Sequence, residues 1–108
     1  MDHTETDVVS LEIACQVAER LRSRPELLDV GRANLVRWTQ RNADAGSLLR
    51  CYEESESILA HPIGEICALL CSETEEGRRL RQNSPFAGVL SPAEVWQIKS
   101  RRYASATA

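Results

Sequence analysis

No apolar run in the chain approaches the ~20 residues that a membrane-spanning helix needs. The longest uncharged apolar cluster, Ile66-Cys67-Ala68-Leu69-Leu70-Cys71, has six residues. The first seven residues are acidic and lack both the basic region and the apolar region of a secretory signal. Four cysteines stand at positions 15, 51, 67 and 71 without a Cys-x-x-Cys pair, so zinc-ribbon and finger spacings are absent. No stretch of four or more residues alternates apolar and polar side chains between turn residues, which argues against a strand-built domain. A Gly-rich phosphate loop, a Gly-x-Ser-x-Gly elbow and a His-Glu-x-x-His helix are all missing. Histidine is scarce: His3 lies near the terminus and His61 sits at a helix boundary before proline. A convergent nucleophile, base and orienting group therefore has no obvious members. The pattern predicts a non-enzymatic chain with no cofactor and no metal.

What is present is a chain of 108 residues, 43% hydrophobic and 27% charged. That is enough apolar content to fold, and the length suits one domain. The expectation is a single helical domain over residues 1–108, with 1–6 and 104–108 mobile. The cysteines fall on or beside apolar positions and read as small core hydrophobes, reduced in a cytoplasmic setting. Cys67 and Cys71 share a helical face at i and i+4, the one spacing that invites a metal.

Apolar residues recur at steps of three and four throughout. Leu11, Ala14, Val17, Ala18 and Leu21 mark a first helix over about residues 7–23. Pro25 opens a second to about residue 42, striped by Leu28, Gly31, Leu35 and Trp38; Gly31 within it implies close approach of another backbone. Ser47 is a candidate cap for a third helix over 48–60, burying Leu48, Tyr52 and Leu59, with Ser55 on the same stripe. Its carboxylates Glu53, Glu54 and Glu56 read as a solvated face. After His61-Pro62, a short helix carries Ile63, Ile66, Cys67, Leu69 and Leu70 and is predicted to be the most buried. Ser72-x-x-Glu75 and Ser91-Pro92-Ala93-Glu94 have the form of capping boxes, the second with Leu90 and Val95 at staple positions. The fold class predicted is all-α, a compact bundle of five or six short helices.

Charge is distributed unevenly. Residues 1–19 hold five acids and no Lys or Arg, whereas residues 77–108 hold six bases against Glu94 alone. Such asymmetry points to an anionic partner for the C-terminal third, either nucleic acid or an acidic protein surface. Within it, Arg78, Arg79 and Arg81 precede a loop holding Phe86, Val89 and Leu90, and Trp96 follows. A loop this apolar is covered either by its own core or by a partner. Arg78, Arg79, Arg81, Phe86, Val89 and Trp96 are therefore the expected partner-binding set. A DNA-reading helix-turn-helix joins its helices through roughly 3–4 residues, but nine residues separate Gln82 from Pro92 here. DNA binding through the basic segment is accordingly the weaker alternative, beside self-association as a structural subunit.

Residues 77–96 (GRRLRQNSPFAGVLSPAEVW) and 24–35 (RPELLDVGRANL) resemble a group of small helical bacterial proteins found beside toxin-like genes. The two stretches cover about a third of the chain. The resemblance implies a short, helical, cytoplasmic, antitoxin-like protein that neutralises a co-encoded toxin. It implies no active site, and Ser55 departs from a large aromatic residue that the group favours. Apolar anchors would supply affinity, and the arginines steering and register.

Overall fold

The computed structural model describes the backbone of residues 3–107 and the side chains of residues 7–101. Six α-helices follow in order: α1 (His3–Ser23), α2 (Leu28–Arg41), α3 (Gly46–Leu59), α4 (Ile63–Leu70), α5 (Glu75–Gln82) and α6 (Pro92–Thr107). A single 3₁₀ turn, Pro25–Leu27, joins α1 to α2. No strand occurs among the described residues, only an isolated bridge between Ala87 and Leu90. The all-α expectation holds. The radius of gyration, 14.2 Å, is close to the ~13 Å of a compact chain this long. The expected mobility of residues 1–6 and 104–108 concerns segments whose side chains lie outside the described residues.

The α1 stripe works as its spacing predicts: Ala14, Val17, Ala18 and Leu21 are buried. They face α4, which α1 contacts more extensively than any other element, and α6 folds back onto α1. α2 and α3 form a hairpin, and α3 also touches α4 and α5. Leu21, Ile66, Leu70 and Leu80 are sealed at the centre. Each such side chain contributes roughly 1.5–3 kcal/mol on removal from water. α4 is two-sided rather than apolar all round, because Gly64, Glu65 and Ala68 face solvent while Ile66, Cys67 and Leu70 face inward.

The local signals fare unevenly. Ser91 and Glu94 form the capping box as expected: Ser91 N donates to Glu94 Oε1 at 2.9 Å, and Glu94 N to Ser91 Oγ at 3.1 Å. Leu90 is buried and Val95 packs against the core, as staple positions should. The box expected at Ser72 and Glu75 does not form. Thr74 caps α5 instead, accepting from Gly77 N at 3.1 Å, while Ser72 Oγ donates back to Leu69 O at 2.9 Å. Ser72 Oγ also meets Thr74 Oγ1 at 2.8 Å, so it links the end of α4 to the cap of α5 without itself being the cap. Ser47 is no cap either, since α3 begins at Gly46 after Ala45. Of the cysteines, only Cys67 is fully buried; Cys15 and Cys71 are half-buried and Cys51 is exposed.

Candidate partner-binding surface

The six expected residues separate into three environments. Phe86 and Val89 are core: they are 2% and 6% exposed and belong to the main hydrophobic cluster with Leu90. The loop that carries them is fastened inward from α2. Asn34, itself buried, donates through Nδ2 to Pro85 O at 2.8 Å and to Ala87 O at 2.9 Å, and its Oδ1 accepts from Arg37. These bonds grip the chain on either side of Phe86 and drive its ring onto Gly31. Val89 N closes a turn on Phe86 O at 3.0 Å. Gly88 supplies the positive φ, 98°, that this turn requires. The loop is a plug, so neither Phe86 nor Val89 is available as an anchor for a partner.

The arginines differ among themselves. Arg81 reaches back across the α4–α5 corner and donates to Leu70 O at 3.0 Å and Ser72 O at 2.5 Å. It satisfies carbonyls left over at the end of α4, a structural role. Gly77 makes that corner tight: an added methyl would stand 2.7 Å from Leu69 O. Arg79 pairs through Nε with Glu54 Oε1 of α3 at 3.1 Å, with both side chains substantially exposed. Such a surface pair is worth at most about 1 kcal/mol. Arg78 is exposed and lines a shallow depression of about 230 Å³ with Asp7, Val8, Leu11, Glu73 and Arg81. Two carboxylates therefore share the surroundings of the two guanidinium groups.

Trp96 is the remaining member and is 67% exposed. On α6, Val95 and Ile98 turn toward the core, while Trp96, Gln97 and Lys99 turn outward. The helix is anchored to α1 by polar contacts as well. Arg20 donates to Glu94 Oε2 at 2.5 Å and to Val89 O at 3.5 Å, and Arg101 pairs with Glu12 at 3.5 Å. The Ser91 amide and the Arg20 guanidinium hold the Glu94 carboxyl below its ordinary range. Of these pairs Arg101–Glu12 joins the acidic head to the basic tail, whereas Arg20–Glu94 has its charges the other way round. The acidic first helix and the basic last one pack together, so part of the opposing charge is neutralised within the fold.

Two surface features had no sequence signal strong enough to single them out. An apolar groove of about 460 Å³ between α2 and α3 is lined by Arg32, Leu35, Val36, Glu56, Leu59 and Ala60, and Val36 is 55% exposed. A more polar hollow of about 390 Å³ is formed by Trp38, Arg41, Asn42, Tyr52, Gln82, Asn83 and Ser84. Trp38 and Tyr52 meet there with centroids 5.9 Å apart at 45°. Asn34 is the functional position that the helix pattern concealed. It stands three residues after Gly31 on the same stripe, and a polar side chain on an apolar stripe was the available clue. No group of three or more His, Cys, Asp or Glu side chains is arranged to hold a metal among the described residues, and no helix is long and apolar enough to cross a membrane. No protein-family model, curated protein or solved structure matches the chain.

Proposed function

We propose that this chain is a non-enzymatic protein-binding regulator, antitoxin-like, whose partner is a protein encoded beside it. The observation that carries the reading is Trp96, 67% exposed on α6 while its neighbours Val95 and Ile98 pack into and against the core. Tryptophan buries more area than any other side chain when covered and is enriched among residues that dominate interface energetics. Lys99 lies one turn further on the same outward face and adds a cation for steering and register. The binding set is thereby narrowed from six residues to Trp96, with Arg78 and Arg79 as peripheral charges. Arg81, Phe86 and Val89 maintain the fold that displays them.

The test is co-expression with the product of the neighbouring gene, followed by calorimetric titration of the purified pair. Trp96→Ala is expected to weaken binding at least tenfold while the helical circular dichroism stays unchanged. Undiminished affinity of the Trp96→Ala protein for that partner would refute the assignment of this face. Absence of any complex with the neighbouring product would refute the antitoxin-like reading itself.

A further inference from the structure

Cys15 of α1 and Cys71, the residue closing α4, are both half-buried, and Cys71 is the neighbouring side chain that acts most strongly on the Cys15 thiol. The packing of the two helices accounts for their meeting. Cys67 Sγ donates to Ala18 O at 3.4 Å, which sets position 67 of α4 against position 18 of α1. Cys71 lies one turn beyond Cys67, to whose carbonyl its own amide donates at 3.2 Å. Cys15 lies about one turn before Ala18. Leu11, earlier on α1, shares a depression with Glu73 just beyond α4, so the two helices run in opposite directions along this seam, and a step forward on one and back on the other sets the second pair side by side.

We propose that Cys15 and Cys71 form a reversible oxidation site, a dithiol that closes to an intramolecular disulfide on reaction with hydrogen peroxide. The Cys71 thiol gives up its proton and its sulfur attacks one peroxide oxygen; the O–O bond breaks, the leaving hydroxide takes up that proton, and a sulfenic acid and one water result. Cys15 sulfur then attacks the sulfenic sulfur. The S–S bond forms, the S–O bond breaks, and the Cys15 proton leaves with the departing oxygen as a second water. In sum, two thiols and one peroxide give one disulfide and two waters, the sulfurs losing the two electrons that the peroxide gains.

The surroundings set the order of these steps. Burial, and then the neighbouring Cys71, push the Cys15 thiol up to about 11. Cys15 is therefore protonated at neutral pH and acts second, as the resolving thiol. Cys67 is sealed in the core and Cys51 stands exposed on α3. The new bond would tie α1 to the α4–α5 corner that Arg81 already braces through Leu70 O and Ser72 O. It would close a loop of more than fifty residues. A cross-link of that span restricts the unfolded chain enough to raise the unfolding midpoint by roughly 10 °C.

The experiment treats the dilute, fully reduced chain with hydrogen peroxide, both as wild type and as Cys51→Ser, which removes the exposed thiol. Expected are an intact mass lower by two hydrogen atoms, a mapped peptide joining residues 15 and 71, a midpoint higher by roughly 10 °C, and reversal by dithiothreitol. The Cys15→Ser chain should instead retain oxygen at Cys71. The proposal is overturned if wild type and Cys51→Ser gain oxygen at Cys71 without the cross-link. It is equally overturned if they form only intermolecular bridges, or keep both thiols while peroxide oxidises the exposed Cys51 of the wild type.

Discussion

Phe86 lies directly over Gly31. A methyl group placed on that glycine would stand 3.1 Å from the ring's Cε1 and 3.3 Å from its Cδ1. Close approach at Gly31 was legible in the sequence, but what approaches is an aromatic side chain and not another backbone. Alanine is favoured over glycine within a helix by about 1 kcal/mol. Overpacking a core against a ring that cannot retreat costs about 1–3 kcal/mol. Asn34 holds the loop at Pro85 and Ala87, so the ring is fixed. Gly31→Ala should therefore lower stability in urea denaturation, whereas in a Phe86→Leu background the same change should raise it. A stabilising Gly31→Ala in the wild-type chain would show that the ring is free to move.

Asn34 serves two carbonyls of the plug at once. Asn34→Ala leaves Pro85 O, the buried acceptor of the two, without that donor, and the loss should be about 1–3 kcal/mol, the cost of one unsatisfied group. Asn34→Asp keeps the shape and removes the donor, so it should be at least as harmful. Equilibrium urea unfolding of both variants, compared by midpoint at constant slope, decides the point.

Phe86→Ala and Trp96→Ala should behave in opposite ways, although both rings belong to the segment first singled out for binding. Truncating a buried Phe costs about 3–5 kcal/mol, a large part of the stability of a chain this size. Truncating a side chain that is 67% exposed should change stability by no more than about 0.5 kcal/mol. Thermal unfolding followed at 222 nm distinguishes them. A large loss with Trp96→Ala would place that ring in the core.

The acid limb of stability should depend on Glu94. Its folded carboxyl lies below the ordinary 4.5, held there by the Ser91 amide and by Arg20. The unfolded chain thus takes up the proton first as the pH falls. Glu94's contribution is complete above 4.5 and disappears as the pH drops through the lowered folded value. Glu94→Gln should reduce stability at neutral pH and flatten the acid limb. If the limb keeps its wild-type slope in that variant, other carboxylates govern it.

At the alkaline end the sign is reversed with respect to pH. The Cys15 thiol is raised from 9.0 to about 11, chiefly by burial. Between those values the unfolded chain releases a proton that the folded chain keeps, so stability is complete below pH 9 and declines as the pH rises through 11. Cys67, also raised by burial, adds in the same direction. Cys15→Ser should remove part of this decline, measured as the change in urea midpoint between pH 8.5 and pH 11, roughly the interval between the ordinary thiol range and the raised value. An unchanged slope would mean that Cys15 titrates normally.

Short-range order was legible where one segment held all the necessary partners. The α1 stripe and the Ser91–Glu94 box depend only on residues within a turn or two of each other, and they formed where expected, whereas Pro25 opens a separate 3₁₀ turn and the second α-helix begins at Leu28. The Ser72–Glu75 box failed although its residues are correct, because Thr74 takes the capping position and accepts from Gly77 N. Two hydroxyl residues close in sequence can each open a helix, and here α5 starts at Glu75 with Thr74 immediately before it. The arginine cluster was read as a unit because its members are adjacent in sequence. In space Arg81 turns inward, Arg79 meets Glu54 twenty-five residues away, and Arg78 stays outside.

The uneven distribution of charge and the helical periodicity were determined by the sequence alone, since both are properties of order along the chain. Whether an apolar residue in the loop faces a core or a partner was decided only by tertiary structure. Phe86, Val89 and Trp96 are alike in chemistry and lie within eleven residues of one another. Their fates diverge because Asn34 and Gly31, some fifty residues earlier, provide the clamp and the space for the first, while α6 docks by the face opposite the last. Burial is a relation between distant segments, and spacing within one segment cannot express it.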